Sequence, residues 1–375
     1  MPIIDTVLLK VASRCNLDCE YCYVYHMGDE GWRSQPKTMP PQVQSLVIQQ
    51  LAELAATQEQ PFSVVLHGGE PLLLGATSLA QLLGELRCAL PKPCGLHLQT
   101  NGVLLTPQMI DVLADHDVGI SISLDGPEQV HDRFRVDRRG RGSHARVTAG
   151  IERVLAHPRG SDLFSGVLAV VDPRSNPDEV YGFLKSTGAP SIDFLYRDGN
   201  HSMLPFGKSG IHSTEYGSWM SRILDLYLAD RTPPRIRILD DMLKLLFGGV
   251  GSKEGIGVTD FGIVVIDTDG SIRKNDTLKS AYGSADHFAK AWSVFEDRLV
   301  DVIGTPEFEN YHIAQRPTSE VCLSCPELGV CGGGMPVHRW SAERGYNNPS
   351  VFCADQMILI ARMRHWIARH RSHAA

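Results

Sequence analysis

The stretch Val11-Ala-Ser-Arg-Cys-Asn-Leu-Asp-Cys-Glu-Tyr-Cys-Tyr-Val-Tyr25 decides what the rest of the chain can be. It follows the apolar run Val7-Leu8-Leu9 and places Cys15, Cys19 and Cys22 at the spacing C-x3-C-x2-C. Structural zinc requires four protein ligands. A cubane iron-sulfur cluster, in contrast, can be held by three cysteines with its fourth iron open. The spacing therefore favours a cluster with an open coordination position.

Composition places the chain among ordinary globular proteins. Its 375 residues, 43% hydrophobic and 21% charged, suffice for one large or two modest domains. The formal net charge of −7 argues against nucleic acid as the main partner. We see neither an apolar run long enough to cross a bilayer nor a secretory signal. We therefore expect a cytoplasmic protein without a membrane partner.

Nine cysteines without an export signal suggest thiols that are kept reduced to bind metal. Their distribution supports this reading, because tight C-x2-C pairs occur near both ends of the chain. Cys88 and Cys94 belong to no motif and are expected to be packing thiols. The cysteines of the C-terminal group are Cys322, Cys325, Cys331 and Cys353.

Short apolar runs alternate with amphipathic stretches through the first half of the chain, which predicts an α/β fold. The predicted strands are Val7–Leu9, Phe62–Leu66, Gly95–Leu98, Val118–Leu124, Gly166–Val171 and Ile192–Leu195. The predicted helices between them are Pro41–Ala56, Leu79–Leu90, Pro107–Asp115, His144–Leu155 and Pro177–Ser186. The alternation fits an α/β barrel or an open sheet. Six such units would make a partial (β/α)6 TIM-like barrel, in which the chemistry lies at the carboxyl ends of the strands.

The alternation breaks between residues 198 and 234, and Arg231–Arg235 is the best domain boundary. We therefore predict one domain over residues 1–235 and a second over 236–375. In the second, Asp267-Thr-Asp-Gly270 between two apolar runs predicts a hairpin. A helical segment is predicted near Ala289–Phe295, and a final helix from Ala354 to about His370.

Three motifs in the first domain resemble those of radical S-adenosylmethionine (SAM) enzymes. The cysteine loop matches the family pattern CxxxCxϕC, with Tyr21 at the aromatic position. His67-Gly-Gly-Glu-Pro71 is similar to the family's GGEP, and the segment from Ser123 to Arg135 is similar to SLDG followed by HDxxR. The resemblance implies a [4Fe-4S] cluster on Cys15, Cys19 and Cys22. The SAM contacts that it implies are Tyr21, Gly68, Gly69, Glu70, Ser123 and Arg135.

In this resemblance Glu70 pairs with the α-ammonium of SAM. Ser123 contacts the ribose or carboxylate, and Arg135 contacts the carboxylate. Alternatives stay open at each position. The cysteines could be small buried hydrophobes or a zinc knuckle, GGEP could be an ordinary turn, and Arg135 could belong to a solvated charge run over residues 133–141. Gln99-Thr-Asn-Gly102 either lines the pocket or forms a polar strand-end turn.

The C-terminal cysteines resemble the SPASM extension of radical SAM peptide-modifying enzymes. That resemblance implies one auxiliary [4Fe-4S] cluster on these four thiols, although the set also suits zinc. Met335 stands where relatives carry a further cysteine, so two clusters are expected in total. Asn275-Asp276 stands where relatives have Cys-Asp, and the resemblance implies that Asp276 is a general base. The alternative is a polar turn carboxylate.

Two further stretches are similar to FxsB-type maturases, which form cyclophane crosslinks in ribosomally made peptides. They are Tyr23–Arg33 and Gly345-Tyr-Asn-Asn-Pro-Ser-Val-Phe-Cys-Ala-Asp355. Tyr23 and Trp32 could instead be barrel core. No separate leader-binding domain is expected before the first strand.

The resemblance implies a peptide maturase that cleaves SAM to a 5′-deoxyadenosyl radical and crosslinks an aromatic side chain to a neighbouring β-carbon. Its implied partners are a precursor peptide and an electron donor such as flavodoxin or ferredoxin. Formylglycine formation of the sulfatase-maturating type and thioether formation stay open. A non-catalytic iron-sulfur, zinc or electron-transfer protein is the alternative of another class. The predicted SAM pocket of Glu70, Ser123 and Arg135 argues against it.

Overall fold

The computed structural model describes residues 1–258 and 260–371. Its strands are β1 (Thr6–Ala12), β2 (Ser63–Gly68), β3 (Gly95–Thr100), β4 (Gly119–Ser123), β5 (Phe164–Val170), β6 (Ser191–Leu195), β7 (Arg235–Ile236), β8 (Ile263–Ile266), β9 (Ser271–Arg273) and β10 (Trp292–Ser293). The six strands predicted for the first half are thus confirmed, with small differences in their bounds.

The α-helices are α1 (Tyr23–His26), α2 (Pro41–Thr57), α3 (Ala76–Ala89), α4 (Pro107–Asp115), α5 (Glu128–His131), α6 (His144–Ala156), α7 (Gly160–Leu163), α8 (Pro177–Ser186), α9 (Glu215–Ala229), α10 (Arg237–Leu246), α11 (Leu299–Ile303), α12 (Pro306–Ile313), α13 (Glu320–Leu323), α14 (Leu328–Cys331) and α15 (Cys353–Arg371). Short 3-10 helices lie at Gly31–Arg33, Pro71–Leu74, Asp276–Ser280 and Pro336–Arg339. Within the described ranges, no helix is both long and apolar enough to span a membrane.

The chain forms two compact units, each built from several segments. Unit 1 comprises residues 1–124, 131–167 and 262–312. Unit 2 comprises residues 125–130, 168–261 and 313–375, described here up to Arg371 except for position 259.

Unit 1 is built on a mixed sheet with the strand order β10-β9-β8-β1-β2-β3-β4. Strands β1 to β4 are parallel, and β8 pairs in parallel with the other side of β1. Buried apolar side chains such as Val7, Leu9 and Leu66 form the core that supports this sheet. Because the strands are parallel, the residues that follow β1 to β4 meet at one edge of the sheet.

The predicted hairpin is confirmed, but the helix predicted near Ala289–Phe295 is wrong. The segment instead contains β10, which pairs antiparallel with β9 through Trp292 and Ile272. The backbone N–H of Val294 donates to the carbonyl of Gly270 at 3.0 Å. The segment is therefore an edge strand of the hairpin sheet, and the next helix begins only at Leu299.

Unit 2 combines the parallel pair β6 and β7 with helices α9, α10 and α15. Helices α9 and α15 pack closely, because a Cβ atom on Gly217 would lie 2.4 Å from the carbonyl oxygen of Asp355. A fully buried ion pair, with Lys208 Nζ 2.5 Å from Asp355 Oδ2, stabilises this contact. The final helix predicted from Ala354 to about His370 is confirmed within a residue at each end.

Candidate active site

The three-cysteine loop leaves β1 at the carboxyl edge of the unit 1 sheet. Its backbone is anchored on the segment that follows α5: Glu20 N–H donates to the carbonyl of Phe134 at 3.0 Å, and Asp18 N–H to that of Val136 at 2.8 Å. The turn is closed by a bond of 3.0 Å from Cys22 N–H to the carbonyl of Cys19. The loop is therefore ordered by hydrogen bonds of its own backbone.

Gly68 and Gly69 allow the end of β2 to approach the start of this loop. Gly69 N–H donates to the carbonyl of Ala12 at 2.8 Å, and Glu70 N–H donates to that of Arg14 at 2.9 Å. A Cβ atom on Gly68 would lie 2.0 Å from the oxygen of Ala12, and Gly68 has a φ of 135°, which side chains rarely adopt. A Cβ atom on Gly69 would lie 2.3 Å from the oxygen of Arg14. Both glycines thus allow the backbone at the end of β2 to lie against the backbone of Ala12 and Arg14.

Glu70 is completely buried at this junction. Its Oε1 accepts hydrogen bonds from Leu72 N–H at 3.1 Å and Thr100 Oγ1 at 2.7 Å, and its Oε2 accepts from Asn101 N–H at 2.8 Å. A carboxylate has about four acceptor positions, so one position on Oε2 stays open. Burial raises the pKa of Glu70 to about 7, although these hydrogen bonds oppose the shift. A cation bound at the open position would favour the ionised form.

The cysteines of the loop form a compact donor set. None of the three takes part in a disulfide. Burial raises the pKa of Cys15, and the nearby charges of Glu70, Cys19 and Cys22 add to the shift. Burial, with Cys19, also raises the pKa of Cys22 to about 12. Cluster assembly must therefore displace protons from these thiols. The three thiols lie close enough for one to raise the pKa of another, and the buried carboxylate of Glu70 beside them has an open acceptor position. This donor set fits an iron-sulfur cluster whose open iron binds an amino-acid ligand.

Ser123 and Arg135 lie in the same unit. Ser123 ends β4, and its Oγ accepts a hydrogen bond from Gln99 Nε2 at 3.0 Å. Arg135 is buried, its Cζ lies 5.4 Å from the centre of the Tyr21 ring, and its charge lowers the pKa of Cys22 in opposition to burial. Arg135 thus lies beside the cysteine loop instead of on a solvated surface.

His131 and Asp132 of the HDxxR segment have structural roles. His131 is buried, and its Nε2 lies 2.9 Å from Ser143 Oγ, which donates to the carbonyl of Arg135 at 2.7 Å. Asp132 Oδ1 accepts the backbone N–H groups of Ser143 and His144, both at 2.8 Å. These contacts position the backbone of Arg135.

Asp276 begins the 3-10 helix that follows β9 in unit 1, and only 2% of its surface is exposed. Lys10 Nζ donates to its Oδ1 at 2.5 Å, and Tyr23 donates its hydroxyl to Oδ2 at 2.8 Å. Burial alone would raise the pKa of Asp276, but Lys10 and Lys279 outweigh it and hold the value at about 2. Asp276 is therefore a fixed carboxylate, joined through Tyr23 to the cysteine loop.

The aromatic residues after the cysteines support the loop. The Tyr25 and Trp32 rings meet edge to face with centroids 5.0 Å apart, and Tyr25 donates its hydroxyl to the carbonyl of Ser13 at 3.1 Å. The Arg14 guanidinium lies 5.0 Å from the Trp32 ring centre and donates to the carbonyl of Arg33 at 3.1 Å. This packing orients the backbone directly before Cys15.

The four C-terminal cysteines lie together in unit 2, where all are free thiols. The pKa of Cys331 is raised to about 12, first by burial and then by the nearby Cys353, Cys322 and Cys325. Three consecutive left-handed glycines, Gly332–Gly334, follow Cys331, and a Cβ atom on Gly332 would lie 2.0 Å from the oxygen of Gly257. These glycines let the chain turn tightly past the thiols.

Within residues 1–258 and 260–371, no three Cys, His, Asp or Glu side chains converge on a point that suits a single metal ion. A cubane binds each thiolate through a different iron, so its cysteines need not converge in this way.

Sequence reasoning did not identify Lys10 or Arg339 as site residues. Lys10 is the lone charge in the apolar strand β1 and is paired in register with His67. A charge inside an apolar strand was the sequence feature that could have identified Lys10. Arg339 is fully buried beside the C-terminal cysteines, where Cys322 opposes the lowering of its pKa by burial. Its Nη2 donates to the carbonyl of Gln315 at 2.6 Å. Nothing in the local sequence distinguished it from a surface arginine.

Comparison with known proteins finds a family match for part of the chain. The Radical SAM superfamily model matches residues 9–186, slightly less than half of the chain.

Individual relatives are more distant. A serine-type anaerobic sulfatase-maturating enzyme of Bacteroides thetaiotaomicron is 24% identical over 373 aligned positions, which cover 89% of this chain and 83% of that protein. Native anSMEcpe with bound AdoMet superimposes with a TM-score of 0.82 at 20% identity, covering 97% of this chain and 98% of that structure. Streptococcus suis SuiB bound to its precursor peptide SuiA gives 0.62 at 14% identity, with 89% and 72% covered. The two structures share the fold.

The open acceptor position of Glu70 leads to a prediction. Glu70→Gln removes the charge that we expect to pair with the ammonium of SAM, and a hydrogen bond to a charged group contributes about 1.5–3 kcal/mol. We expect SAM to bind about 10- to 100-fold more weakly to anaerobically reconstituted protein, measured by equilibrium dialysis. Glu85→Gln, on the exposed side of α3, is the control. Unchanged SAM affinity in Glu70→Gln protein with full iron content would contradict the assignment.

The two cysteine sets predict the iron content. Anaerobically reconstituted protein should contain about eight irons, two cubanes, by the ligand count. Replacing Cys15, Cys19 and Cys22 by Ala should leave about four, whereas Cys88→Ala should leave about eight. Metal analysis measures both iron and zinc. About four irons and one zinc in the unmodified protein would assign zinc to the C-terminal set.

Proposed function

We propose that the protein is a radical SAM enzyme that removes two hydrogens from a ribosomally made precursor peptide and joins an aromatic side chain to the β-carbon of a neighbouring residue. The observation that carries this proposal is the buried carboxylate of Asp276, bonded to Tyr23 directly after Cys22. A reaction that loses an electron and a proton after radical formation needs such a proton acceptor. Relatives named as sulfatase-maturating enzymes, and a neighbour bound to its precursor peptide, support a peptide substrate.

We assign Cys15, Cys19 and Cys22 to a [4Fe-4S] cluster, and Cys322, Cys325, Cys331 and Cys353 to an auxiliary one. When bound, the first cluster and SAM would supply radical chemistry able to remove a hydrogen atom from the substrate β-carbon, and the auxiliary cluster would supply an electron acceptor. Residues 1–235 would form the radical SAM core, and residues 236–375 the auxiliary domain. Flavodoxin or ferredoxin, in the cytoplasm, would supply the electron that starts the reaction.

In this proposal the chain's own residues bind and orient SAM. Glu70 holds the α-ammonium at its open acceptor position, while Arg135 neutralises the carboxylate. Ser123 offers its hydroxyl to the ribose or carboxylate. Tyr21 borders the pocket through its ring, and Gly68 and Gly69 leave room for the ligand backbone. Orientation of the reacting atoms is the main contribution that a protein can make to such chemistry.

Asp276 accepts the proton that leaves when the attacked ring regains its aromaticity. The low pKa of Asp276, about 2, makes it a weak base. A weak base suffices, because an oxidised ring that regains aromaticity loses its proton readily. The Lys10 ammonium keeps Asp276 ionised and holds Oδ1 by a hydrogen bond. Oδ2 therefore accepts the incoming proton, and its hydrogen bond from the Tyr23 hydroxyl breaks.

Formylglycine formation is the second candidate, and the names of the sulfatase-maturating relatives favour it. It uses the same machinery, because oxidation of a serine or cysteine β-carbon also loses one hydrogen atom, one electron and one proton. Thioether formation would require a cysteine in the substrate. The three products differ in reactivity, so one assay separates them.

In the assay, reduced enzyme is incubated anaerobically with SAM and with the precursor peptide encoded by the short open reading frame nearest to the enzyme's own gene. We expect loss of two hydrogens, no reaction of the product with hydrazide, no requirement for cysteine, and few fragment ions within the crosslinked ring. Tandem mass spectrometry provides all four readouts. A hydrazide-reactive product would identify formylglycine formation, and an unchanged peptide mass despite SAM cleavage would reject peptide oxidation.

Asp276→Asn tests the proton acceptor. The amide keeps the shape and cannot take the proton, so SAM cleavage should persist while product formation falls about 10²- to 10⁴-fold, the usual contribution of a general base. Liquid chromatography of 5′-deoxyadenosine and product gives the ratio. Asp301→Asn, exposed on α11, is the matched control. Normal product yield from Asp276→Asn would return Asp276 to a purely structural role.

A further inference from the structure

A buried group of charges extends from Asp276 away from the cysteine loop. The Lys279 ammonium lies 3.8 Å from Asp276 Oδ1, 3.0 Å from Asp29 Oδ2 and 3.7 Å from Asp286 Oδ2. Only 4% of the Lys279 side chain is exposed. One ammonium is therefore shared by three carboxylates, and it has three protons to donate.

Asp286 stands out in this group. None of its surface is exposed, and neither of its oxygens accepts a hydrogen bond. A buried carboxylate without hydrogen bonds is costly to maintain. Its Oδ1 lies 3.8 Å from Nε2 of His287, whose side chain is 39% exposed. The series Asp276, Lys279, Asp286 and His287 thus connects a buried carboxylate with solvent.

The two carboxylates of this series differ in acidity. Asp276 has a pKa of about 2, whereas burial raises the pKa of Asp286 to about 6, with Lys279 opposing the shift. A proton taken by Asp276 is therefore more stable on Asp286. His287 has its pKa lowered from the usual value by burial, so at neutral pH it releases a proton to water. The other charged groups that face Asp286, Lys279 or their partners are Lys10, Asp29, Asp267 and Arg273.

We propose that Lys279, Asp286 and His287 form an exit path for the proton that Asp276 takes from the substrate. This inference rests on the proposed function. Asp276 must be ionised again before the next peptide reacts, yet it is buried, and its side-chain partners among the described residues are Lys10, Tyr23 and, at a longer distance, Lys279. The path restores its charge without opening the site to water.

The transfer balances at each step. An N–H bond of the Lys279 ammonium breaks as its proton forms an O–H bond on Asp286, and the lone pair of the resulting amine then takes the proton from the O–H bond of protonated Asp276. Lys279 is an ammonium again when the transfer ends, and a rotation of its flexible stem closes the gaps of 3.7 and 3.8 Å. The His287 imidazole then takes the proton from Asp286 and passes it to water. No electron moves along this path.

The experiment compares the first turnover with later turnovers. Because Asp276 starts ionised, Asp286→Asn should form product at the normal rate in a single turnover and should slow multiple turnover about 10²-fold. In the unmodified enzyme, multiple turnover should decline as the pH falls through about 6, because Asp286 must be ionised to accept a proton. Asp286→Asn should lose this dependence. Asp301→Asn is the control, and 5′-deoxyadenosine formation is followed in parallel.

His287→Ala gives a second variant, since His287 is half exposed and its removal leaves the buried charges in place. Its multiple turnover should be slow and should recover when imidazole is added. Normal multiple turnover in both variants would overturn the path, as would an equal loss in first and later turnovers or a slow His287→Ala that imidazole does not restore. If Asp286→Asn fails to fold, the His287→Ala result decides. Peptide that loses no hydrogens with unmodified enzyme would instead reject the proposed function and, with it, the path.

Discussion

The close approach of the Gly68–Gly69 backbone to the end of β1 is the constraint on which the candidate active site depends. The two strand ends are joined by Gly69 N–H to Ala12 and Glu70 N–H to Arg14, and a side chain at either glycine would collide with that backbone. This contact places the buried carboxylate of Glu70 next to the loop that carries Cys15. A parallel sheet brings the two strand ends to the same edge, but only glycine lets them come this close.

A second constraint is electrostatic. Lys10 and Asp276 are both buried, at 4% and 2% exposure, and each is stabilised by the other. Loss of one partner from such a pair costs about 3–5 kcal/mol, because it leaves an uncompensated charge. Tyr23 connects this pair with the cysteine loop, and Lys279 connects it with Asp286. The proposed proton chemistry therefore depends on residues whose burial in unit 1 is expensive and mutually supported.

Much of the fold could be predicted from the sequence, because apolar runs and amphipathic stretches alternate clearly from Thr6 to Leu195. The error near Ala289–Phe295 arose where Trp292 pairs with Ile272 of the hairpin, because strand pairing depends on a partner that the local sequence does not contain. Among the site residues, Cys15, Glu70 and Arg135 could be predicted because each belongs to a short sequence motif. Lys10 could not be assigned this way, because its partner Asp276 is 266 positions away in the chain.

The sequence by itself determined the donor chemistry: three thiols on one loop, four near the C-terminus, and a glycine-rich turn with a carboxylate after the second strand. These follow from residue type and spacing, which no folding changes. Only the tertiary structure decided which polar groups are buried together. Burial left one acceptor position on Glu70, set the pKa of Asp276 far below that of Asp286, and aligned Lys279 between them. The physical reason is that desolvation and charge pairing act over distances in space, which separation along the chain does not encode.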